Sequence, residues 1–448
     1  MNPLANELND ALDKSHAGVF LSSLGRRLFF PKGIIAQAAE AKKTARINAT
    51  LGMAFKDRKP LILSPLAKHF PGLLPEEIVV YAPTAGIEAL RNTQKAALIR
   101  KNSCLKEGDF SLPVVVPGIT AGISYIADLF LDKGQVILAG DPSWDNYSLI
   151  FSERREAILK GIALFSVDVP GNDDVPNKVG VFNIDAFENA LKEEAKTGQV
   201  RIILNFPHNP SGYTLLKTEA EKLIALINDC AEGGASVLVI CDDAYFGLFY
   251  EDETINESLF GPLAALHERV LAVKIDGPTK EDYVWGLRTG FVSIGSKGLD
   301  ISGYEALEKK LMGAIRSSVS CANTPAQYLA LKTWEDPATT ADKEAFFSLL
   351  CRRYRTVKQF IAENPPPSSV LETLPFNSGY FMCFRCKAGL GAEELRQALL
   401  KKGIGTIALE DKYLRVTFAA IEEEEIPEVY RVIYGTASEL AALREICP

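Results

Sequence analysis

The sequence predicts an α/β fold: a mainly parallel, seven-stranded sheet between helices, followed by a smaller α+β layer. Three observations predict it. Seven short apolar runs, at 112–116, 136–139, 162–167, 201–206, 236–241, 270–275 and 291–294, read as buried strands. Amphipathic stretches at 123–131, 184–196 and 218–231 separate several of these runs, and such alternation places a largely parallel sheet under helices on both faces. Last, the punctuation Glu363-Asn-Pro-Pro-Pro-Ser-Ser369 precedes strand-like runs at 379–385, 405–408 and 413–418, with a helix at 392–402 between the first two.

Taken in order, residues 1–43 are amphipathic and irregular, interrupted by Phe29-Phe-Pro-Lys-Gly33, as suits an arm packed on another domain or subunit. Asn48-Ala-Thr-Leu-Gly52 and the turn Lys56-Asp-Arg-Lys-Pro60 follow. After Tyr81-Ala-Pro-Thr-Ala-Gly86, the recurrence of Ile87, Leu90, Ala97 and Leu98 predicts a helix to about Lys101. The alternating middle of the chain gives way beyond Gly303 to a mainly helical pattern ending near Glu363. The expected division is an amino-terminal arm with part of a small domain at 1–64, a large domain at 65–330 and a small carboxy-terminal domain at 331–448.

Composition narrows the function classes. A chain of 448 residues, 47% hydrophobic and 24% charged, has room for two ordinary domains. Its net charge of -8, with no dense Lys/Arg cluster, argues against a nucleic-acid partner. No apolar run has the length of a membrane span, and the acidic amino terminus resembles neither a secretory signal nor a transit peptide, so a cytoplasmic location is expected. The eight cysteines are scattered; Cys383-Phe-Arg-Cys386 has metal-ligand spacing but no second pair, and none of the four histidines lies near another at ligand spacing. No metal is expected.

In an open α/β sheet, ligands sit beyond the carboxyl ends of the strands. The run at 270–275 leads into Asp276-Gly-Pro-Thr-Lys280, and Arg288 follows in Gly-Leu-Arg-Thr-Gly. Lys280 is either a solvated loop charge or a nucleophile; a lysine to condense with an aldehyde and an arginine to hold a phosphate suit pyridoxal phosphate. Pro117-Gly-Ile-Thr-Ala-Gly122 opens a helix and is either a plain turn or an anion-binding amino terminus, without the spacing of a dinucleotide fingerprint. Trp144 in Asp141-Pro-Ser-Trp-Asp-Asn-Tyr147 is packed core or a stacking platform. Asn205-Phe-Pro-His-Asn-Pro-Ser-Gly212 is a rigid turn with amides available to a ligand oxygen. Asp242, ending the run at 236–241, needs a cationic partner if buried, and a protonated pyridine nitrogen is one.

Asn-Pro-Ser-Gly, Asp-x-Ala-Tyr and Lys280 followed by Gly-x-Arg288-x-Gly, in that order, resemble the signature of class I aminotransferases, the fold-type-I pyridoxal phosphate enzymes. Tyr81-Ala-Pro-Thr-Ala-Gly-Ile, Pro142-Ser-Trp-Asp-Asn (Pro-Ser-Trp-Gly-Asn in the family) and His208-Asn-Pro-Ser-Gly point to the aspartate/aromatic branch. The resemblance implies a pyridoxal 5′-phosphate enzyme exchanging amino groups between amino acids and 2-oxo acids. It assigns Lys280 to the covalent link with the cofactor, Asp242 to the pyridine nitrogen, Tyr245 and Asn209 to the phenolic oxygen, and Trp144 to the ring face. Thr120, Ala121, Gly122, Thr279 and Arg288 would hold the phosphate, joined by Tyr81 from a second subunit, which implies a homodimer with shared active sites. Arg415 in Leu-Arg-Val-Thr-Phe-Ala, with Gly52, would bind the substrate's α-carboxylate.

Three departures qualify this. Gly277 replaces a phosphate-binding Ser/Thr of the family, leaving Thr279 to compensate. Tyr147 stands where the aspartate branch has a His beside the pyridine-binding Asp. Counting back from Asn323, Ser318 occupies the place of the arginine that recognises a dicarboxylate, with Arg316 two residues away, so aromatic or neutral amino acids are expected over aspartate. The same apparatus serves lyases and decarboxylases, and a non-catalytic regulator would need a DNA-binding module that the acidic amino-terminal segment does not offer.

Overall fold

The computed structural model describes residues 1–31, 33–166 and 181–446. Its centre is a seven-stranded sheet made of β1 Val114–Val116, β2 Val136–Asp141, β3 Ile158–Ala163, β4 Gln199–Leu204, β5 Ser236–Asp242, β6 Val270–Asp276 and β7 Gly290–Gly295. The spatial order is β1-β7-β6-β5-β4-β2-β3. All neighbours pair in parallel except β7, which runs antiparallel to both β1 and β6. The six remaining strands therefore point the same way, and their carboxyl ends share one edge.

Side-chain alternation explains why both faces are covered. In β5, Val237, Val239 and Cys241 enter one apolar cluster while Leu238 and Ile240 enter the cluster on the other face. Helices Ile184–Ala195 and Lys217–Glu232 cover the first face through Phe187, Leu191, Leu223 and Ile227; Ile119–Phe130 and Ile301–Arg316 cover the second through Ile123, Ile126, Leu311 and Ile315. β3 differs from the sequence reading, which placed it at 162–167, a range whose last residue lies outside the described residues. The strand occupies the sheet edge and is largely exposed, so its own residues carry little apolar signal; the buried Leu164 and Phe165 that drew the reading onward lie just past its end.

A second, four-stranded antiparallel sheet has the order Leu371–Thr373, Phe381–Cys386, Tyr413–Thr417, Ile407–Leu409. It packs with helices Ala392–Lys401 and Ile426–Ile446 and with Tyr354, Val357 and Phe360 of the long helix Ala338–Glu363. Ile47–Asn48 pairs in parallel with Ile404–Gly405, which ties the amino-terminal segment to this layer. No helix among the described residues is long and apolar enough to cross a membrane.

Candidate active site

The shared edge opens into a cavity of about 190 Å³. Ten of the residues singled out from the sequence line it: Gly52, Thr120, Trp144, Asn209, Asp242, Tyr245, Thr279, Lys280, Arg288 and Arg415. They arrive from the ends of β1, β2, β4, β5 and β6, from the segment before β7, from the second sheet and, for Gly52, from the segment after Ile47–Asn48.

Asp242 closes β5 and is 3% exposed. Its Oδ2 accepts the Tyr147 hydroxyl at 2.5 Å, and its Oδ1 accepts, among the described residues, only the Ala244 N–H at 3.3 Å. Burial raises its pKa to about 6 against the pull of Tyr147 and Lys280. Lys280 lies in the turn after β6 with its Nζ 5.1 Å from the centre of the Tyr245 ring. Among the described residues that Nζ has no hydrogen bond or ion pair, and burial lowers its pKa to about 8, with Asp242 opposing and Arg288 assisting. Tyr380 holds the turn in place by donating its hydroxyl to the Lys280 carbonyl at 3.1 Å.

The other end of the cavity is built for an anion. Helix Ile119–Phe130 begins there, and its cap residue Gly118, at φ 89°, lets the Arg288 guanidinium lie against the backbone; a Cβ at Gly118 would sit 2.5 Å from Arg288 Nη2. A cation pressed onto the positive end of a helix dipole is favourable once a negative group joins them. Thr279 Oγ1 is buried there without a partner. Gly277, the departure noted above, is enforced by packing, since a Cβ would meet the Thr289 carbonyl oxygen at 2.8 Å and Gly290 Cα at 2.9 Å. The unpaired hydroxyl is thus the one at 279. These donors fit a phosphate.

Arg415 is 2% exposed, and burial lowers its pKa. Its guanidinium donates to Asn209 Oδ1 at 3.1 Å and to the Thr50 carbonyl at 3.0 Å, and lies 4.4 Å from the Phe381 ring centre. Nε is buried without a partner among the described residues, so this chain leaves the guanidinium incompletely satisfied.

Three expected residues do not line the cavity. Gly122 packs its helix onto Val116, Ile275 and Val292, and its N–H is taken up by the Gly118 carbonyl at 3.2 Å; Ala121 faces the apolar cluster beneath. The helix starts at Ile119, one turn before the predicted start, so the free amides belong to 119–121. Tyr81 is 87% exposed, away from this chain's cavity. Ser318 and Arg316 are also exposed; the Ser318 hydroxyl pairs with that of Tyr125 at 2.8 Å. Ile34, Ile119, Asn205, Ala244 and Phe381 line the cavity without having been singled out. Of these Asn205 had a signal, the first amide of its turn: it donates to the Asp242 carbonyl at 2.7 Å and accepts the Asn209 N–H at 2.8 Å.

Comparison with known proteins bears on the fold and the family. An aspartate aminotransferase of Sulfurisphaera tokodaii is 23% identical over 262 residues, 58% of this chain and 57% of the relative, so the chain spans just over half the length of that curated relative. A solved aminotransferase from Anaerococcus prevotii superposes with a TM-score of 0.78 at 24% identity, covering 92% of this chain and 98% of the other. The kynurenine aminotransferase of Pyrococcus horikoshii, solved in complex with PMP, superposes with a TM-score of 0.76 at 16% identity, covering 95% and 99%. The fold is that of the fold-type-I aminotransferases. The model of the family described as aminotransferase class I and II matches residues 67–433. Because that match runs through most of the chain and takes in every strand of the large sheet, the chain belongs to the class I and II aminotransferase family.

Proposed function

We propose that this protein is an amino-acid aminotransferase that moves the amino group of an L-amino acid to a 2-oxo acid such as 2-oxoglutarate in a two-stage ping-pong cycle, with aromatic or neutral side chains favoured over aspartate. Pyridoxal 5′-phosphate is the cofactor of the family, and the donor set of the cavity fits it. One observation carries the reading: a single cavity holds an amine without a hydrogen bond or ion pair among the described residues, a buried carboxylate and a buried guanidinium with an unsatisfied donor.

When bound, the cofactor supplies a conjugated ring that takes up the electrons released as the substrate loses its Cα proton. Asp242 is the acid for the ring nitrogen: the burial that makes its lone ionisation unfavourable favours a cation beside it. Tyr245 and Asn209 would hold the phenolic oxygen, Trp144 would lie against the ring, and Thr279, Arg288 and the free amides of 119–121 would hold the phosphate. Arg415 and Gly52 fix the substrate's α-carboxylate. Lys280 Nζ, with its pKa lowered to about 8, is a base poised near neutrality to take and return the Cα proton. The placement of Ser318 and Arg316 outside the cavity supports a substrate without a second carboxylate.

The active unit is a homodimer. In support, Val79, Val80 and Tyr81 are 77%, 56% and 87% exposed, an apolar strip that a second copy would cover while bringing Tyr81 to its neighbour's phosphate site. Residues 65–330 form the large domain, 331–448 the small one, and 1–64 the arm with part of the latter, as the pairing of Ile47–Asn48 with the second sheet supports. The working compartment is the cytoplasm, in keeping with the cysteines among the described residues, all of them free.

The test is a panel of amino acids added to purified holoenzyme, following loss of the cofactor's aldehyde-form absorbance together with 2-oxo acid release. Both are expected, with pyridoxamine phosphate left behind. Carbon dioxide or ammonia in place of a 2-oxo acid would make the protein a decarboxylase or lyase, and a colourless protein in excess pyridoxal phosphate would remove the reading altogether.

A further inference from the structure

Asp145 follows the cavity-lining Trp144 where the family segment has glycine. The residue is exposed on its outer side, but its carboxylate turns toward the backbone N–H groups of Ile34 and Asn146, which favour its ionised form against burial. Ile34 opens helix Ile34–Thr44, whose cap residue Gly33 supplies no side-chain bond of its own. A Cβ at Gly33 would sit 2.9 Å from Asp145 Oδ2, so glycine at 33 is what permits the close approach. The same helix is fastened to the second sheet by Gln37, which donates to the Ala408 carbonyl at 3.0 Å and accepts the Ala408 N–H at 2.8 Å. Asp145 therefore ties the loop that presents Trp144 to the helix that presents Ile34, and both residues line the cavity.

The charges around the cavity give this acid a consequence. Among the described lining residues the cations are Lys280, Arg288 and Arg415, and the acid is Asp242. If Arg288 holds phosphate, Lys280 handles the proton and Arg415 takes the α-carboxylate, a second carboxylate on the substrate finds no free cation among the described residues that line the cavity. The charge of Asp145 lies close by instead, near enough to Arg415 for each to perturb the other's ionisation.

We propose that Asp145 is a specificity-determining residue: its negative charge, set between the cavity-lining Trp144 and Ile34, selects against amino acids and 2-oxo acids with a side-chain carboxylate. The assignment rests on the aminotransferase reading and deepens it. Discrimination of this kind works by repulsion of the wrong ligand as much as by contacts to the right one. 2-Oxoglutarate is then accepted, at a disadvantage that a monocarboxylic 2-oxo acid does not share.

Holoenzyme carrying Asp145→Asn keeps an oxygen for the Ile34 N–H and loses the charge; Asp145→Ser is a second variant of the same design. The binding of succinate and of 3-phenylpropionate, two non-reacting acids, is measured by calorimetry on each protein, beside kcat/KM for glutamate and phenylalanine. Succinate is expected to bind about tenfold tighter in both variants, with 3-phenylpropionate changed less than about twofold, and the gain should shrink in high salt. The glutamate-to-phenylalanine ratio of kcat/KM should rise by a similar factor. Unchanged succinate binding, or parallel shifts for both acids, overturns the assignment. If no amino acid yields a 2-oxo acid in the unaltered protein, the aminotransferase reading falls, while the succinate titration still decides whether Asp145 repels a second carboxylate.

Discussion

Asp242 and Asp243 are neighbours at the end of one strand, almost equally buried, and their surroundings are opposite. Asp243 accepts from the Lys274 amine and, at 2.5 Å, from the Ser258 hydroxyl. Lys274, fully buried, also reaches Asp276 at 3.4 Å, whose oxygens accept from Gln94 at 3.2 and 3.1 Å. On the other side of Lys280, Glu281 accepts from Lys101 and Lys343, and Asp282 accepts from Lys343 and the Trp334 indole at 2.7 Å each. The reactive turn is thus held between two closed ionic networks. Among the described residues the cavity's charges do not close: Asp242 has a hydroxyl and one long amide contact, Lys280 has no hydrogen bond or ion pair, and Arg415 keeps an unsatisfied Nε. Charges satisfied within the chain fix positions, whereas charges left unsatisfied lower stability and are available to a ligand.

If that contrast is sound, substitutions in the two regions should fail in opposite ways. Lys280→Ala gives the largest effect: turnover falls by about 10³-fold or more, as expected for loss of a positioned base, while chemical denaturation shows stability unchanged or raised, because a desolvated amine is gone. Next comes Asp242→Ala, which lowers turnover by about 10²- to 10³-fold with the cofactor's absorbance still present. Near-normal turnover in either variant breaks the comparison. Lys274→Met should do the reverse. It strands Asp243 and Asp276 as unpaired buried acids and destabilises the fold by about 3–5 kcal/mol, read from denaturant midpoints; a loss below about 1 kcal/mol would show that the network holds nothing.

The cavity was legible in the sequence where parallel topology does the gathering. Trp144, Asn209, Asp242 and Lys280 each follow an apolar run, and a parallel sheet brings such positions to one edge. Contacts between distant loops left little trace. Nothing local says that Tyr147 will donate to an acid 95 positions away, or that Ile34 will reach the same cavity from an amino-terminal helix. Helix phase was the other obscurity. Ile119 and Thr120 belong to a Gly-rich stretch that reads as turn, yet the helix begins there, and that moves the free amides from Gly122 to the preceding residues. β3 was displaced because an exposed edge strand lacks the continuous apolar pattern of its neighbours.

The smallest expected effect concerns the bond between Tyr147 and Asp242, and it is best read in the apoprotein. A folded-state pKa of about 6 means that the native protein holds the Asp242 proton more firmly than the unfolded chain does. The contribution to stability is therefore complete below the unfolded value near 4 and is lost as pH rises to about 6, amounting to at most ~3 kcal/mol. Asp242→Asn should remove that slope from stability measured by denaturation between pH 4.5 and 7.5, where subtracting the variant cancels the other groups. Tyr147→Phe deletes a donor that favours the ionised form, so the same loss should continue about one pH unit higher. A curve identical to that of the unaltered apoprotein would mean that the tyrosine hydroxyl does not hold the charge on Asp242, and the contrast between the two aspartates would then rest on the missing cation alone.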